Sequence, residues 1–279
     1  MSVPANVGVL GGGRMGGGIA HSFLLAGAKV HVVDISDDAV AAARDRIHKD
    51  IEGSIARGAE GSFEDYVGRL SLSTSPADFS GCEVVVEAVP ESLDLKRNSF
   101  ASISEHAPQA AIATNTSSLS VTELAETVDN DVIGLHFFNP VPASKLVEIV
   151  VAESTPNALV DTARGWVEGL GKTPIVVKDA PGFASSRLGV AIALEAIRMV
   201  EEDVATPEDI DNAMVLGYKF PTGPLALTDI VGLDVRLRIA EYLESTLGER
   251  FAPPQLMRDM VARGELGRKS GKGFYDYST

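Results

Sequence analysis

The sequence predicts an α/β protein in two parts, a sheet domain followed by an all-helical domain. Two observations predict this division. In the first part, short β-rich runs alternate with amphipathic stretches, which is typical of βαβ units and a parallel sheet. From Asp179 onward no such alternation recurs, and the chain reads as helices separated by prolines. We therefore divide the chain into residues 1–180 and 181–279.

The strand-like runs of the first part come in a regular series. They are residues 7–10, 30–33, 84–86, 111–113 and 132–135, separated by helix-like segments. Two further runs, Leu146–Val151 and residues 174–177, flank a helical segment at 156–170. We expect these two runs to extend the same sheet.

The second part contains one segment of unusual composition. Residues 188–200, LGVAIALEAIRMV, are apolar on nearly every face of a helix. A monomer could not expose such a helix to water, so we expect it to be buried, with a homodimer interface as one place for it.

The composition excludes several classes of partner. A formal net charge of −15 repels nucleic acid and anionic membranes. No apolar run approaches the ~18 residues of a membrane-spanning helix, and no basic leader precedes the first strand. We therefore expect a cytoplasmic protein. Because Cys82 is the single cysteine, we expect no intrachain disulfide and no metal site, and we assign Cys82 to packing.

A glycine-rich loop follows the first strand run, in the sequence LGGGRMGGGIA. Gly11, Gly13 and Gly16 have the spacing of a dinucleotide-binding loop directly before a helix. The turn is tight, a side chain would block the pyrophosphate from the backbone N–H groups, and the helix must approach the strand closely. We count Met15 of the same loop among the cofactor-binding residues. The motif predicts a Rossmann-type, doubly wound parallel sheet in the first part.

Asp34 ends the second strand run at the offset expected of a ribose-binding acid. Such an acid accepts hydrogen bonds from a ribose 2′-hydroxyl and repels a 2′-phosphate. Ile35 and Ser36, which follow, offer no arginine for that phosphate. We therefore predict NAD as the cofactor in preference to NADP. The alternative is a glycine-rich turn with a surface aspartate at a strand end.

Further clusters follow the other strand runs. They read EAVPE at 87–91, NTSSLS at 115–120, GLHFFNPVP at 134–142, KLVE at 145–148, DAPGF at 179–183 and GRKSGKGFYDY at 267–277. Polar residues directly after buried strands lie where open α/β sheets bind ligands. With these motifs in this order, the sequence closely resembles the L-3-hydroxyacyl-CoA dehydrogenase family, including 3-hydroxybutyryl-CoA dehydrogenases, from Val7 to Tyr277.

The resemblance implies a reaction and the residues that perform it. The reaction is the reversible oxidation of a (3S)-3-hydroxyacyl-CoA, of short chain, to the 3-oxoacyl-CoA with NAD. His136 is then the general base that takes the proton of the 3-hydroxyl, a task suited to imidazole. Glu148 orients the ring and stabilises the imidazolium, as in a hydrolase triad. Ser117 hydrogen-bonds the substrate hydroxyl, although a serine here can equally cap the helix that begins near Val121, with Glu123 in a capping pattern.

The same resemblance implies the cofactor contacts. Glu87, Glu91 and Asn115 match positions beside the cofactor, and Lys96 matches a lysine near the nicotinamide end. One position departs from the family: Ser186, in PGFASSRL, stands where an asparagine is common and helps to position the substrate. The shorter serine leaves the acyl group and its carrier open.

Coenzyme A carries phosphates, and the predicted helix that begins at Asp37 offers basic residues. Arg57 is our candidate for a CoA contact, with Arg44, Arg46 and Lys49 as weaker ones, and a solvated helix face as the alternative. Two rival functions also stay open. One keeps the chemistry on a carrier-protein thioester, a 3-hydroxydicarboxylyl-CoA such as 3-hydroxyadipyl-CoA, or a free hydroxy acid. The other is a non-catalytic NAD-binding protein.

Overall fold

The computed structural model describes residues 3–278, which divide into two compact units between Ala180 and Pro181. The first unit is built on one eight-stranded sheet, and the second unit is helical. Among the described residues, no helix has both the length and the apolar character needed to cross a bilayer. The predicted fold class is confirmed.

The strands of the first unit run in the order β3-β2-β1-β4-β5-β6-β7-β8 across the sheet. Their bounds are β1 Asn6–Leu10, β2 Lys29–Val33, β3 Leu70–Ser73, β4 Val84–Glu87, β5 Ala111–Thr114, β6 Val132–Phe137, β7 Leu146–Val151 and β8 Thr173–Lys178. The strand order reverses direction beside β1, so β1 and β4 border the crevice in which doubly wound sheets bind ligands.

Two features of this sheet differ from the sequence prediction. Strand β3 lies outside the predicted runs, because its LSLS sequence is short and only half-buried at the edge of the sheet. Strand β7 pairs antiparallel with β6, so the sheet is mostly parallel and not wholly parallel as predicted. The predicted extension by Leu146–Val151 and by residues 174–177 is present as β7 and β8.

Helices cover the sheet and connect its strands. They are α1 Arg14–Leu25, α2 Asp37–Ala56, α3 Phe63–Val67, α4 Leu93–His106, α5 Val121–Ala125 and α6 Asn157–Gly169. The buried face of α1 and the central strands form one core cluster, in which Val7, Val9, Ile19 and Phe23 are fully buried. Cys82 is buried, and its burial raises the pKa of the thiol to about 11.

The second unit consists of α7 Ser185–Glu201, α8 Pro207–Asn212, α9 Pro224–Val231, α10 Leu233–Leu247 and α11 Gln255–Ala262. The C-terminal GRKSGKGFYDY segment closes this unit on a buried carboxylate. The backbone N–H groups of Phe274 and Tyr275 each donate to Asp229, at 3.0 Å. A methyl group at Gly273 would lie 2.0 Å from an Asp229 oxygen, so this glycine allows the close approach.

Helix α7 is buried on one face within the chain. Residues 188–200 were expected to be buried, with a homodimer interface as one place, and the buried face is formed by Val190, Leu194 and Ile197. Leu188 is 64% exposed, and Ala191 and Glu195 continue the exposed stripe. The difference arises because helical spacing places these three residues on the face away from α10 and α11.

Candidate active site

The loop after β1 has room for a ligand at one of its three key glycines. Gly11 has a φ of 93°, which favours glycine, and a methyl group at Gly16 would lie 1.8 Å from the Gly11 carbonyl oxygen. A methyl group at Gly13 would meet no protein atom within 4 Å. Protein packing therefore explains Gly11 and Gly16, whereas the space at Gly13 suits a pyrophosphate against the N-terminus of α1. Met15 is half-buried and packs on the core.

Asp34 and Arg46 hold the peptide groups of Gly12 in this loop. The Gly12 N–H donates to Asp34 Oδ2 at 2.7 Å, and the Arg46 guanidinium donates to the Gly12 carbonyl oxygen at 2.7 Å. Asp34 Oδ1 accepts from the N–H of Ile35 at 2.7 Å. Each carboxylate oxygen keeps lone pairs for a ribose hydroxyl, so these residues fit NAD. Sequence reasoning treated Arg46 only as a weak CoA candidate and missed this loop contact.

Glu87 and Lys96 form a buried ion pair where β4 ends. Lys96 Nζ lies 2.8 Å from Glu87 Oε1 and 3.0 Å from Oε2, and the two side chains are 1% and 0% exposed. The Thr114 hydroxyl donates to Glu87 Oε2 at 2.7 Å, and the Val89 N–H donates to Oε1 at 2.7 Å. Glu91 Oε2 lies 3.5 Å from Lys96 Nζ, so the predicted residues Glu87, Glu91 and Lys96 belong to one network.

Glu91, which follows β4, accepts hydrogen bonds from the NTSSLS loop that follows β5. Its Oε1 accepts from the Thr116 hydroxyl at 2.7 Å and from the Ser117 and Ser118 N–H groups at 2.9 and 3.0 Å. Partial burial opposes ionisation, but Lys96 and these hydrogen bonds outweigh it and lower the pKa of Glu91. Sequence reasoning did not single out Thr114 or Thr116, whose hydroxyls complete the network.

The helix after this loop has a cap other than Ser117. Ser120 caps α5, since its side chain accepts from the Glu123 N–H at 3.2 Å, and its hydroxyl donates to Asp179 Oδ2 at 2.7 Å. The capping alternative is therefore correct for a serine of the NTSSLS motif but not for Ser117. Ser117 is half-buried in the loop, and among the described residues its hydroxyl makes no hydrogen bond to protein.

His136 and Glu148 face each other across neighbouring strands. They are partners in the antiparallel register of β6 and β7, and His136 Nδ1 lies 2.7 Å from Glu148 Oε2. Both are buried, at 5% and 0% exposure. When Nδ1 donates to this carboxylate, Nε2 of the neutral ring is the acceptor. Next to them, the Asn115 side-chain oxygen accepts from the Phe137 N–H at 2.9 Å, which ties the ends of β5 and β6 together.

Lys172 holds the chain segment that joins β6 to β7. Its ammonium group donates to the carbonyl oxygens of Val141 and Ser144, each at 2.6 Å. The side chain is 9% exposed, and burial lowers the pKa of Lys172. This lysine stabilises the connection between the strands that carry His136 and Glu148. Sequence reasoning missed it, because its partners are backbone groups about thirty positions away.

None of the hydrogen bonds described above involves two of the predicted residues, Arg57 and Ser186. Arg57 is exposed just after α2 and donates to the Ser54 hydroxyl at 3.3 Å. Asp45, Asp50 and Glu52 alternate with the basic residues of α2 in the sequence. Among the described residues, they make no ion pair with those basic residues. Ser186 is the second residue of α7, in the second unit, and is half-buried.

Comparisons with known proteins show the family of the chain. The family model of the 3-hydroxyacyl-CoA dehydrogenase NAD-binding domain matches residues 6–180, and the model of the C-terminal domain of the same enzymes matches residues 182–277. A 3-hydroxybutyryl-CoA dehydrogenase of Mycobacterium tuberculosis is 39% identical over 279 residues, covering 97% of this chain and 98% of that protein.

A solved structure and a second relative extend the comparison. The crystal structure of (S)-3-hydroxybutyryl-CoA dehydrogenase from Ralstonia eutropha has a TM-score of 0.94 and 38% identity, covering 99% of this chain and 100% of that one. A 3-hydroxyadipyl-CoA dehydrogenase of Escherichia coli is 38% identical over 97% of this chain and 58% of its own length.

Proposed function

Because the chain belongs to the 3-hydroxyacyl-CoA dehydrogenase family, we propose that it catalyses the reversible NAD-dependent oxidation of a (3S)-3-hydroxyacyl-CoA to the 3-oxoacyl-CoA. The substrate we propose first is a short-chain thioester of the 3-hydroxybutyryl type, as in the relatives' names. The observation that carries the proposal is the buried contact of His136 Nδ1 with Glu148 Oε2, at 2.7 Å.

This contact supports an acid/base role for His136. With Nδ1 directed to Glu148, Nε2 takes the proton from the substrate 3-hydroxyl in oxidation and returns it in reduction. Glu148 is a positioning residue: it selects the tautomer and stabilises the imidazolium that forms. The antiparallel register fixes both side chains on rigid strands, which favours a reproducible geometry.

The residues of the first unit fit NAD as the cofactor. Gly13 leaves space for the pyrophosphate, Gly11 and Gly16 allow the tight turn of the loop, and Asp34 accepts hydrogen bonds from the adenine ribose. NAD, when bound, supplies the hydride acceptor for C3 of the substrate. We propose that Glu87, Glu91 and Lys96 shape the cofactor side of the site through the loops that they hold, since Lys96 is only 1% exposed.

Four further residues complete the proposed site. The Ser117 hydroxyl, which has no protein partner among the described residues, hydrogen-bonds the substrate hydroxyl. Asn115 keeps the end of β6 in register and lies beside the cofactor. Ser186, from the second unit, contacts the acyl group, and Arg57 contacts a CoA phosphate.

The test measures NADH oxidation with acetoacetyl-CoA for wild type, His136→Gln and Glu148→Gln. His136→Gln is expected to lower kcat by about 10²–10⁴-fold, the usual contribution of positioned acid/base catalysis. Glu148→Gln is expected to lower kcat and to move the pH profile, which a purely structural role would leave in place. His106→Gln, the same change at the end of α4, is the matched control.

Two results would contradict the proposal. If His136→Gln kept kcat within about tenfold of wild type, His136 would not be the general base. If wild type failed to oxidise NADH with every thioester tested, the protein would instead be the non-catalytic NAD-binding protein of the alternative.

A second candidate substrate follows from Ser186 and from one relative. Ser186 offers a shorter contact than the family's usual asparagine, and the Escherichia coli relative is named for 3-hydroxyadipyl-CoA. A dicarboxylic thioester is therefore the alternative to the short chain. Carrier-protein thioesters and free hydroxy acids remain to be compared in the same assay.

We also propose a homodimer that works in the cytoplasm. The second unit exposes large apolar side chains on α7 and α9, namely Leu188, Leu227, Ile230 and Val231, at 64%, 38%, 46% and 41%. The two helices contact each other, and exposed apolar side chains of this size are common at protein interfaces. Sedimentation velocity at micromolar concentration tests this: a dimer that Leu188→Asp dissociates supports it, and a monomeric wild type contradicts it.

A further inference from the structure

The glycine-rich loop contains two glycines that the dinucleotide-binding spacing does not require. These are Gly12 and Gly17, and each of them meets α2. A methyl group at Gly12 would lie 2.4 Å from Ala43 Cβ, and one at Gly17 would lie 3.2 Å from Arg46 Cδ. The two missing side chains therefore allow α2 to approach the loop and the first turns of α1 closely.

Arg46 is the residue of α2 that uses this approach. Its Nη1 donates to the Gly12 carbonyl oxygen at 2.7 Å, across 34 positions of the chain. The side chain is half-buried, and no carboxylate within residues 3–278 forms an ion pair with it. A guanidinium stays charged at every working pH, and a hydrogen bond from a charged donor is roughly twice as strong as a neutral one. The described hydrogen bond of Arg46 thus acts on the loop backbone.

This contact also sets the direction of a neighbouring N–H group. The Gly12 carbonyl belongs to the peptide group that joins Gly12 to Gly13, and this peptide group is trans. In a trans peptide group the C=O and the N–H point in opposite directions, so Arg46 directs the Gly13 N–H away from α2. In the described part of the chain this N–H has no acceptor, and it borders the open space at Gly13.

The preceding peptide group has a different partner. The Gly12 N–H donates to Asp34 Oδ2 at 2.7 Å, so one acid and one base hold two successive peptide groups of the loop. Asp34 is also the residue proposed to accept from the adenine ribose. Arg46 holds the peptide group that carries the Gly13 N–H, on the side of the pyrophosphate. Loss of Asp34 and loss of Arg46 should therefore affect different parts of the cofactor.

We propose that Arg46 is a positioning residue for the cofactor, which holds the peptide group between Gly12 and Gly13 so that the Gly13 N–H faces the pyrophosphate. The inference rests on the proposed function, in which NAD is the cofactor. Arg46 acts through the loop, without contact to the adenosine part of NAD. Its removal should weaken ligands that contain the pyrophosphate and spare ligands that end at the adenine ribose.

The experiment compares two fragments of NAD, ADP-ribose and adenosine, of which only the first contains the pyrophosphate. Calorimetry and NMR titration give their Kd values for the whole chain. Arg46→Met is expected to raise the Kd for ADP-ribose by about 10- to 100-fold, the usual weight of hydrogen bonds to charged groups, and to leave the Kd for adenosine unchanged. Asp34→Asn is expected to raise both Kd values. Arg164→Met removes the same charge from an exposed position on α6 and is expected to change neither.

Each other outcome has a defined meaning. An unchanged Kd for ADP-ribose in Arg46→Met overturns the inference, and so does an equal rise for both fragments, which makes Arg46 structural. Turnover of acetoacetyl-CoA by wild type leaves the proposed function in place in both cases. If Arg46→Met does not fold, Arg46→Lys keeps the charge on a shorter side chain and is expected to show a smaller but equally selective rise. If wild type bound neither ADP-ribose nor NAD, the proposed cofactor and this inference would both be overturned.

Discussion

Lys96 and Arg236 are buried to a similar degree but differ in their partners. Lys96, in the sheet unit, is 1% exposed and donates to both oxygens of Glu87 and to the Val89 carbonyl oxygen. Arg236, in the helical unit, is 6% exposed and donates to one backbone carbonyl oxygen. Glu87 neutralises the buried charge of Lys96, whereas no carboxylate among the described residues forms an ion pair with Arg236.

The same distinction separates two glycines of the phosphate loop. Protein atoms crowd Gly16, but only open space adjoins Gly13. For these two glycines, surroundings filled by the chain indicate a structural position, and open surroundings suit a ligand. This distinction requires the tertiary structure, because lysine and arginine, or two glycines of one motif, look alike in sequence.

The largest effect is expected for Lys96. Lys96→Met leaves the Glu87 carboxylate buried without its cation, so the free energy of unfolding should fall by about 3–5 kcal/mol in urea titrations. Lys49→Met, at an exposed position of α2, is the control and should change stability by less than about 0.5 kcal/mol. Adding Glu87→Gln to Lys96→Met should recover part of the loss. A loss below about 1 kcal/mol would show that the pair is not an energetic unit.

Next in size is the contrast between Gly16 and Gly13. Gly16→Ala should lower the free energy of unfolding by about 1–3 kcal/mol, because the methyl group overlaps the Gly11 carbonyl. Gly13→Ala should change stability by less than about 0.5 kcal/mol but raise the Kd for NAD by about tenfold or more, because it displaces a charged group from its donors. Calorimetric titration with NAD measures the second effect, and an unchanged Kd would mean that NAD does not approach Gly13.

His21 lies between the two extremes, with one ring nitrogen partnered and one not. Its Nε2 lies 3.1 Å from the Ser54 hydroxyl, while Nδ1 is buried without a partner. Burial lowers the pKa of His21, against the opposing effect of Asp50. The unfolded chain therefore binds more protons below about pH 6.5, and folding stability must fall as the pH falls.

The lowered pKa of His21 predicts that the stabilities of wild type and His21→Gln depend differently on pH. From pH 7.5 to pH 5.5, wild type should lose up to about 1.4 kcal/mol more stability than His21→Gln, in which no imidazole has to be charged on unfolding. His106→Gln should keep the wild-type slope. Parallel slopes for wild type and His21→Gln would show that His21 takes up its proton equally in both states.

A small change in stability is expected for Arg236→Met without ligand. Removal of an unpaired buried charge should leave the free energy of unfolding within about 1 kcal/mol of wild type, or raise it, because an apolar side chain carries no desolvation cost. The same urea titration as for Lys96→Met measures this. A loss as large as that of Lys96→Met would break the comparison, since Arg236 would then have a partner within the chain.

Much of the site was predictable because its residues belong to short motifs. The glycine spacing and Asp34 define the dinucleotide loop, and alternation of strand and helix runs defines the sheet. Strand β3 was not predicted, because a strand of four residues, none of them fully buried, carries little periodic signal. Arg46 and Lys172 were missed for another reason: their partners are backbone carbonyl oxygens between 28 and 34 positions away. No pattern in local sequence records such contacts.

The sequence by itself determined the fold class and the NAD loop, because both depend on local spacing and residue chemistry, and its resemblance to a family implied His136 and Glu148 as the acid/base pair. The tertiary structure alone decided how His136 meets Glu148, through the antiparallel register of β6 and β7. It also decided which charges are neutralised within the chain. Whether a buried cation finds an anion depends on distances between elements far apart in sequence, and these arise only when the chain packs.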